Sequence, residues 1–175
     1  TVTGTLTIVA PAKAMPDPGV ESMYVNLGTA INPGLSIDRV VLAPGINPYG
    51  ATNADGVYVI TTASDLTIRR CRIRGTLIVV CPGRTVTIQN NVLMQPARPD
   101  YPALIVDGNL VLNVDSSTNL SESSEGTNFN PAGAPYLGVT DSDTADTYPS
   151  ELDGLIHIKG TLSMGLGTVV RGAII

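Results

Sequence analysis

Aromatic and charged residues are scarce in this sequence. It contains no Trp and one Phe, and aromatic residues make up only 4% of the 175 positions. Charged residues make up 14%, against about 25% in a usual globular domain. Gly and Pro are frequent instead, with 18 and 13 residues, and both interrupt helices. This composition argues against a helical bundle, a coiled coil and a disordered tail, and the length fits one domain.

Basic residues and long apolar runs are also lacking. Lys and Arg number 10 against 15 Asp and Glu, which gives a formal net charge of -5, so nucleic acid is not an expected partner. No apolar run approaches the roughly 18 residues needed to span a bilayer, and residues 1–10 lack the basic start and apolar centre of a signal peptide. We therefore expect a soluble fragment of a longer protein that makes no membrane contact itself.

Few residues of this chain carry reactive chemistry. Cys71 and Cys81, the only cysteines, cannot supply a zinc site by themselves, and we expect buried free thiols because both adjoin strand-like apolar runs. His157, the only histidine, stands between Ile156 and Ile158; we interpret it as packed or at an edge, since acid–base catalysis needs a positioned partner. There is no nucleophile elbow, phosphate-binding glycine loop or paired metal-binding histidine motif. The sequence predicts no catalytic residue.

A repeat of about 20 residues runs through the middle of the chain. Residues 57–60 (VYVI) match 77–80 (LIVV), and 66–68 (LTI) match 86–88 (VTI), both at a shift of 20. A fixed period of 20 to 50 residues indicates a solenoid. We therefore expect stacked parallel strands, about 4.8 Å apart. The predicted neighbours in adjacent coils are Val59 with Val79 and Ile68 with Ile88.

Two further copies extend the repeat. Residues 103–106 resemble the preceding copy at a shift of 26, and 103–112 resemble 155–164 at a shift of 52, which predicts that Leu155 resumes the stack over Ala103. The segments are short and rich in β-branched residues, and none has helical spacing. The predicted fold is all-β, a right-handed parallel β-helix with coils of about 20 residues. A β-sandwich or jelly roll is the competing interpretation, but it does not explain the recurring shift.

An acidic excursion separates the last two copies. Residues 113–153 hold 8 of the 15 acids and no Lys or Arg, which is typical of a solvated loop. Connections of this length are usually functional, self-packed or disordered, and Phe129 and Tyr136 predict that part of the excursion packs back on the coils. We expect one β-helix domain over residues 1–175. Its predicted divisions are irregular N-terminal coils at about 1–56, regular coils at about 57–112, the acidic excursion at about 113–153 and final coils at 154–175.

The acidic excursion contains a candidate metal site. Asp141, Asp143 and Asp146 are spaced closely enough to offer hard oxygen ligands to calcium, with Glu151 or Asp153 as additions. The sixth position of the run is Asp146, however, where a calcium-binding helix-loop-helix carries Gly. The alternative is a solvated acidic loop without a metal. No other cofactor is predicted.

Several arginines follow one another along two successive coils. Arg70 and Arg72 alternate with Cys71 and Ile73, so we expect the arginines to point outward while their neighbours point inward. Arg70, Arg72 and Arg74 are therefore candidate ligands for an anionic glycan such as an acidic polysaccharide. The alternative is a set of surface ion pairs with the acidic excursion.

A family resemblance is carried by residues 101–110 (YPALIVDGNL), by 148–150 (YPS) before 155–160 (LIHIKG), and by 170–175 (VRGAII). Together these segments resemble the β-helical region of uncharacterised bacterial envelope proteins that are similar to type IV pilus-assembly and general-secretion accessory proteins. The resemblance implies a non-enzymatic role and a location in the bacterial cell envelope or outside the cell. It rests on coil patterns and transfers no catalytic residue.

Two functions from different classes remain open. The first is a non-enzymatic structural or interaction domain, pilus- or secretion-associated, with a protein partner or self-association. The alternative is a polysaccharide-binding or polysaccharide-cleaving β-helix protein, a lyase or glycosidase, although glycosidases need paired carboxylates and the acids here cluster in a loop.

Residues 169–175 have the pattern of a strand without a polar cap, and terminal solenoid repeats need one. We expect further residues, the acidic excursion or a second copy to cover the last coil.

Overall fold

The computed structural model describes residues 19–175. Part of the predicted N-terminal coils, residues 1–18, lies outside the described residues. The two helices are α1 (Gly19–Leu27) and α2 (Glu122–Glu125). The strands are β1 (Thr29–Ala30), β2 (Ser36–Asp38), β3 (Val41–Leu42), β4 (Val57–Thr61), β5 (Leu66–Arg74), β6 (Thr76–Gln95), β7 (Leu104–Val114), β8 (Leu120–Ser121), β9 (Thr147–Tyr148), β10 (Glu151–Ile158), β11 (Leu162–Met164) and β12 (Val170–Ile174).

Ten strands form one sheet, and its pairings within the described residues are parallel. The pairings fall into three series, because the chain returns to each of three positions once in every layer of the sheet. The first series joins β1, β4, β6, β7 and β10, the second joins β2, β5, β6, β7 and β11, and the third joins β3, β5, β6, β10 and β12. Strands β8 and β9 form a separate antiparallel pair. The structure is therefore mostly β with a mainly parallel sheet, as the sequence predicts.

The strand register of the regular copies follows the predicted repeat to within one residue. Ile68 lies opposite Ile88, as predicted. Val59 lies opposite Ile78, one residue before the predicted partner, so the shift there is 19 residues. The difference arises because the later of the two equivalent turns contains one more residue. That turn includes Gly83, whose φ of 74° lies in the left-handed region that glycine adopts without strain.

The later copies also stack as parallel neighbours. The copy that begins at Leu104 is displaced by one residue from the predicted shift of 26. Ala103 donates its backbone N–H to the carbonyl oxygen of Leu155 at 2.9 Å, and His157 lies opposite Ile105 at the predicted shift of 52. The chain therefore stacks over the Ala103 copy where the sequence predicts, but it rejoins the sheet at Glu151, inside the predicted excursion.

Ladders of aliphatic side chains form the core. Ile37, Ile68, Ile88 and Leu112 lie opposite one another in consecutive strands, and each is 0% exposed. The next member of this ladder is Met164, which lies opposite Leu112 and is 46% exposed. The first layer of the sheet (β2 and β3) is thus closed to solvent at its core positions, and the last layer (β11 and β12) is open.

The acidic excursion folds back on the sheet and has a small core of its own. Phe129 and Tyr148 pack with Val41 and Leu93 of the sheet, and their rings meet edge to face with centroids 6.1 Å apart. The prediction that part of the excursion packs back is confirmed. The interpretation of the excursion as a merely solvated loop is wrong for Glu122, which is 0% exposed, because its carboxylate is hydrogen-bonded inside this core.

Helix α1 packs on the outer face of the first series, where Tyr24 contacts the cluster that contains Val57. Its Glu21 forms an ion pair with Lys159, which follows β10. Neither helix in residues 19–175 has the length and apolar character of a membrane span.

Candidate functional site

Arg72 attaches the acidic excursion to the sheet. Its side chain leaves β5 away from the main core, as alternation predicts, but the excursion covers it and leaves it 1% exposed. Nη1 donates to the carbonyl oxygens of Phe129 and Ala134, and Nη2 donates to that of Pro135, each at 2.7 Å. The guanidinium carbon lies 5.2 Å from the centroid of the Tyr136 ring, a cation–π contact. The expectation of an outward, ligand-facing Arg72 is therefore corrected: the chain itself occupies its Nη donors.

Arg70 belongs to a network of ion pairs. It adopts a φ of 48° at a corner of the sheet and pairs with Asp38. Glu125 of α2 lies 2.9 Å from Arg39 Nε and 3.8 Å from Arg70 Nε. Burial opposes ionisation of Asp38, but the hydrogen bond from Arg70 and the charges of Arg70, Arg69 and Arg39 outweigh it and lower the pKa of Asp38. These contacts match the alternative interpretation, in which the arginines pair with acids, one of them from the excursion.

Arg74, the third candidate arginine, faces a cleft between the sheet and the excursion. The cleft has a volume of about 480 Å³, and Gln95, Tyr136 and Asp153 also line it. Gln95 donates to Asp153 Oδ2 at 2.8 Å, whereas Asp153 Oδ1 is buried without a partner. The Arg74 guanidinium makes no ion pair within residues 19–175. An unpaired cation and an aromatic ring around one cleft are suited to a polar or anionic ligand.

A second cluster gathers three carboxylates inside the excursion. Oxygen atoms of Glu122, Asp141 and Asp146 lie within 4.8 Å of one another. Glu122 Oε1 accepts hydrogen bonds from the Phe129 backbone N–H at 2.5 Å and from the Tyr148 hydroxyl at 2.8 Å, while Oε2 accepts from the Asp146 N–H at 3.1 Å. Burial, with the charge of Asp141 next in size, raises the pKa of Asp146. Like charges are thus held close together.

The structure brings the candidate calcium ligands together only in part. Asp141 and Asp146 belong to the carboxylate cluster, whereas Asp143 lies outside it and accepts a hydrogen bond from the Ala145 backbone N–H at 2.9 Å. Sequence reasoning missed Glu122 as a member, because a segment without repeats gives no signal for which acid folds against Asp141. Two further acids that the sequence suggested also lie outside the cluster: Glu151 and Asp153.

The last layer of the sheet forms an open edge. Among the described strands, β11 pairs only with β7 and β12 only with β10. Leu162 and Met164 lie opposite the buried Leu110 and Leu112 and are 40% and 46% exposed. The excursion packs beside the sheet, against Leu93, and leaves these side chains exposed. Of the three expected ways of covering the last coil, covering by the excursion is therefore not the one observed.

Within residues 19–175, the cysteines and the histidine have no catalytic partner. Cys71 and Cys81 are free and buried, as predicted, and burial raises the pKa of both thiols, which keeps them protonated. His157 lies at a small hollow of about 130 Å³ that Tyr24 and Ile175 also line, and its ring makes no hydrogen bond within the described part of the chain. Neither arrangement supplies the partner that nucleophilic or acid–base catalysis requires.

Comparison of the chain with protein-family models, with curated proteins and with solved structures finds no significant match. Three features of the structure therefore bear on its function. These are the open edge, the cleft at Arg74 and the carboxylate cluster of Glu122, Asp141 and Asp146.

Proposed function

We propose that this chain is a structural or interaction domain of a bacterial cell-envelope protein, that its parallel sheet winds as a right-handed β-helix, and that its last layer pairs with a second copy. The envelope location and a pilus- or secretion-associated role are supported by the resemblance of residues 101–110 and 155–160 to envelope proteins. The pairing with a second copy, which we call the docking role, is supported by the open edge that β11 and β12 form.

The pattern of strand pairing supports the β-helix. The pairings of the ten-stranded sheet are parallel, and the three series follow one another in the same order along the chain. Each series contributes to one shared core: Leu77, Ile68 and Ile73 come from the first, second and third series and belong to the same buried cluster. A crossover between parallel strands of one sheet is right-handed in nearly all proteins, which gives the expected hand.

The main support for the docking role is a difference in exposure between the two ends of the sheet. In the first layer Ile37 and Leu42 are 0% exposed, whereas in the last layer Leu162 and Met164 are 40% and 46% exposed. Unpaired backbone groups beside exposed apolar side chains favour edge-to-edge pairing. Because one end is open and the other closed, pairing joins two copies about a two-fold axis and does not extend into a fibre.

Light scattering over a concentration series tests the docking role. We expect the wild-type chain to dimerise, and we expect the double variant Leu162→Lys, Met164→Lys to stay monomeric because charges on an edge prevent strand pairing. The matched control is Leu35→Lys, a leucine that is 66% exposed beside the first layer and should leave the dimer intact. A wild-type monomer at every concentration, or a dimer lost in Leu35→Lys but kept in the double variant, contradicts the proposal.

The cleft favours a second function, the binding of an acidic polysaccharide. Arg74 offers an unpaired cation to a sugar carboxylate, and charge-assisted hydrogen bonds of this kind are strong. Tyr136 and Gln95 offer a ring face and an amide to hydroxyl-bearing rings. Asp153 is the one carboxylate among the described residues that line the cleft, whereas glycosidases usually use a pair. The geometry thus supports binding better than cleavage.

Calorimetry with polygalacturonate tests the cleft. We expect Arg74→Met to weaken binding by about tenfold or more, as expected for one lost charged hydrogen bond. The matched control is Arg84→Met, because Arg84 also makes no ion pair within residues 19–175 but lies by Thr61 and Pro82 on a different surface. No binding by the wild-type chain, or equal losses in both variants, contradicts a glycan site in the cleft. Release of shortened sugar products would indicate a cleaving enzyme instead.

A further inference from the structure

The free edge of β12 presents a regular set of backbone groups. Ile175, which follows the strand, accepts a backbone hydrogen bond from β10 at 2.9 Å and donates one to it at 3.0 Å. In a parallel pair, every second residue of a strand turns both of its backbone groups toward the same neighbour. Val170, Gly172 and Ile174 therefore turn their N–H and C=O groups away from β10, toward a side on which no other strand of residues 19–175 lies.

These groups favour one register for the pairing of two copies. A two-fold axis perpendicular to the sheet sets the two β12 strands antiparallel and keeps both core faces on the same side. All three free residues find partners when the axis passes through Gly172, because Val170 then meets Ile174 of the second copy. Both side chains pack against the main core, so this register continues the core across the interface. It also sets Arg171 opposite Ala173, whereas an axis through Arg171 would oppose two like charges.

The same register brings an exposed leucine to the second copy. Leu166 lies in the turn between β11 and β12, and its side chain is fully exposed. The turn is held on the layer beneath it, because the Gly165 N–H and the Thr168 hydroxyl donate to the Leu112 carbonyl oxygen at 2.7 and 3.2 Å. In an antiparallel pair, the segment before one strand lies beside the segment after the other. Leu166 therefore lies near Ile175 of the second copy.

The hollow beside His157 lies at this place, because Ile175 forms part of its wall together with Tyr24 and Leu155. Its volume is about 130 Å³. An engineered cavity of about 150 Å³ binds one small apolar molecule, so the hollow has room for one aliphatic side chain. Leu155 and Ile175 are 37% and 39% exposed, which leaves the hollow open to a side chain from outside.

We propose that two copies pair their β12 strands antiparallel about Gly172, and that each inserts Leu166 into the hollow beside His157 of the other. A two-fold interface consists of such reciprocal contacts. The inference rests on the self-association proposed above and adds its register and its docked side chain. It also gives a role to an apolar side chain that stands in solvent on a fixed turn.

Disulfide cross-linking tests the register. Directly opposite residues of a non-hydrogen-bonded antiparallel pair have Cα atoms about 4.5 Å apart, within reach of a disulfide. A mixture of Arg171→Cys and Ala173→Cys should therefore form a covalent heterodimer on mild oxidation. Either variant alone should not, because its two cysteines would lie diagonally, about 7–8 Å apart. The native Cys71 and Cys81 are buried. Cross-linking of one variant alone, or none in the mixture while the dimer persists, overturns the register.

Sedimentation equilibrium tests the docked leucine. We expect Leu166→Ala to raise the dissociation constant of the dimer by about tenfold or more, since one side chain in each copy loses its apolar contact. The matched control is Leu137→Ala in the excursion, where the leucine is 87% exposed; its dissociation constant should stay within about twofold of wild type. Both variants should keep the wild-type Tm in dilute solution, because neither side chain is buried in the single chain.

The outcomes separate this inference from the self-association on which it rests. A dimer that is as tight in Leu166→Ala as in the wild-type chain would leave the hollow to another occupant. That result overturns the docked leucine, although self-association stands. A wild-type chain that is monomeric at every concentration overturns both.

Discussion

At the scale of single residues, Arg72 shows how one side chain joins a non-repeating segment to a repeating sheet. Burial disfavours a charged group unless hydrogen bonds replace its hydration. Desolvation lowers the pKa of Arg72 to about 10, so the guanidinium stays charged at pH 7. Its acceptors are the carbonyl oxygens of Phe129, Ala134 and Pro135. One cation therefore fixes a turn of the excursion whose own sequence contains no basic residue.

Replacement of Arg72 by Met should release this turn. The change leaves three carbonyl oxygens without their donor, two of them in buried hydrogen bonds, so we expect the free energy of unfolding to fall by about 3–5 kcal/mol. The matched control is Arg74→Met in the same strand, which breaks no ion pair and should change the free energy by less than about 0.5 kcal/mol. Urea unfolding of both variants measures the difference. Equal effects would mean that Arg72 does not hold the excursion.

Asp38 should give the stability of the chain a distinct dependence on pH. Its pKa is lowered in the folded state, so the ionised carboxylate stabilises the fold above the unfolded-state pKa of about 3.9. This stabilisation disappears as the pH falls through the lower, folded-state pKa. We expect Asp38→Asn to be less stable than wild type at pH 7, and we expect this difference to shrink progressively as the pH falls below about 3.9. Urea unfolding at pH 7 and at several acidic pH values checks this; a difference of the same size throughout would contradict it.

At the scale of elements, the sequence was informative wherever a strand has a copy one coil away. The ladder from Ile68 to Ile88 could be predicted because both strands repeat the same apolar alternation. The shift of 19 residues at Val59 could not be predicted, because an extra residue in the turn at Gly83 changes the register without changing the strand pattern. Glu122 was beyond prediction for a different reason: its partners come from a segment that has no second copy.

The close approach of neighbouring layers can be tested at Gly160. A Cβ at this position would overlap the backbone carbonyl oxygen of Gly108 in the adjacent layer, and a stacked backbone cannot easily move away. We expect Gly160→Ala to lower the free energy of unfolding by about 2–3 kcal/mol. In Gly165→Ala the new Cβ mainly meets the side-chain amide of Asn113, which is exposed and can rotate, so a cost below about 1 kcal/mol is expected. Thermal unfolding should separate the two variants; equal costs would contradict this packing.

At the scale of the whole molecule, the two ends of the sheet differ. Ile37 and Leu42 close the core in the first layer, whereas Leu162 and Met164 remain exposed in the last. The excursion, which could have covered the last layer, instead packs at the side of the sheet through Phe129. Unpaired backbone groups beside exposed apolar side chains favour pairing with another chain, and we propose that a second copy supplies this partner.

Hydrogen–deuterium exchange across a range of protein concentrations tests this claim most directly. We expect the amides of β11 and β12 that do not bond to β7 or β10 to exchange quickly in dilute solution and to become protected as the concentration rises, because pairing with a second copy gives them acceptors. The amides of β2 and β3, in the closed first layer, should keep the same rate throughout. Exchange in β11 and β12 that stays fast at every concentration, or protection that appears at β2 and β3 instead, would contradict the account.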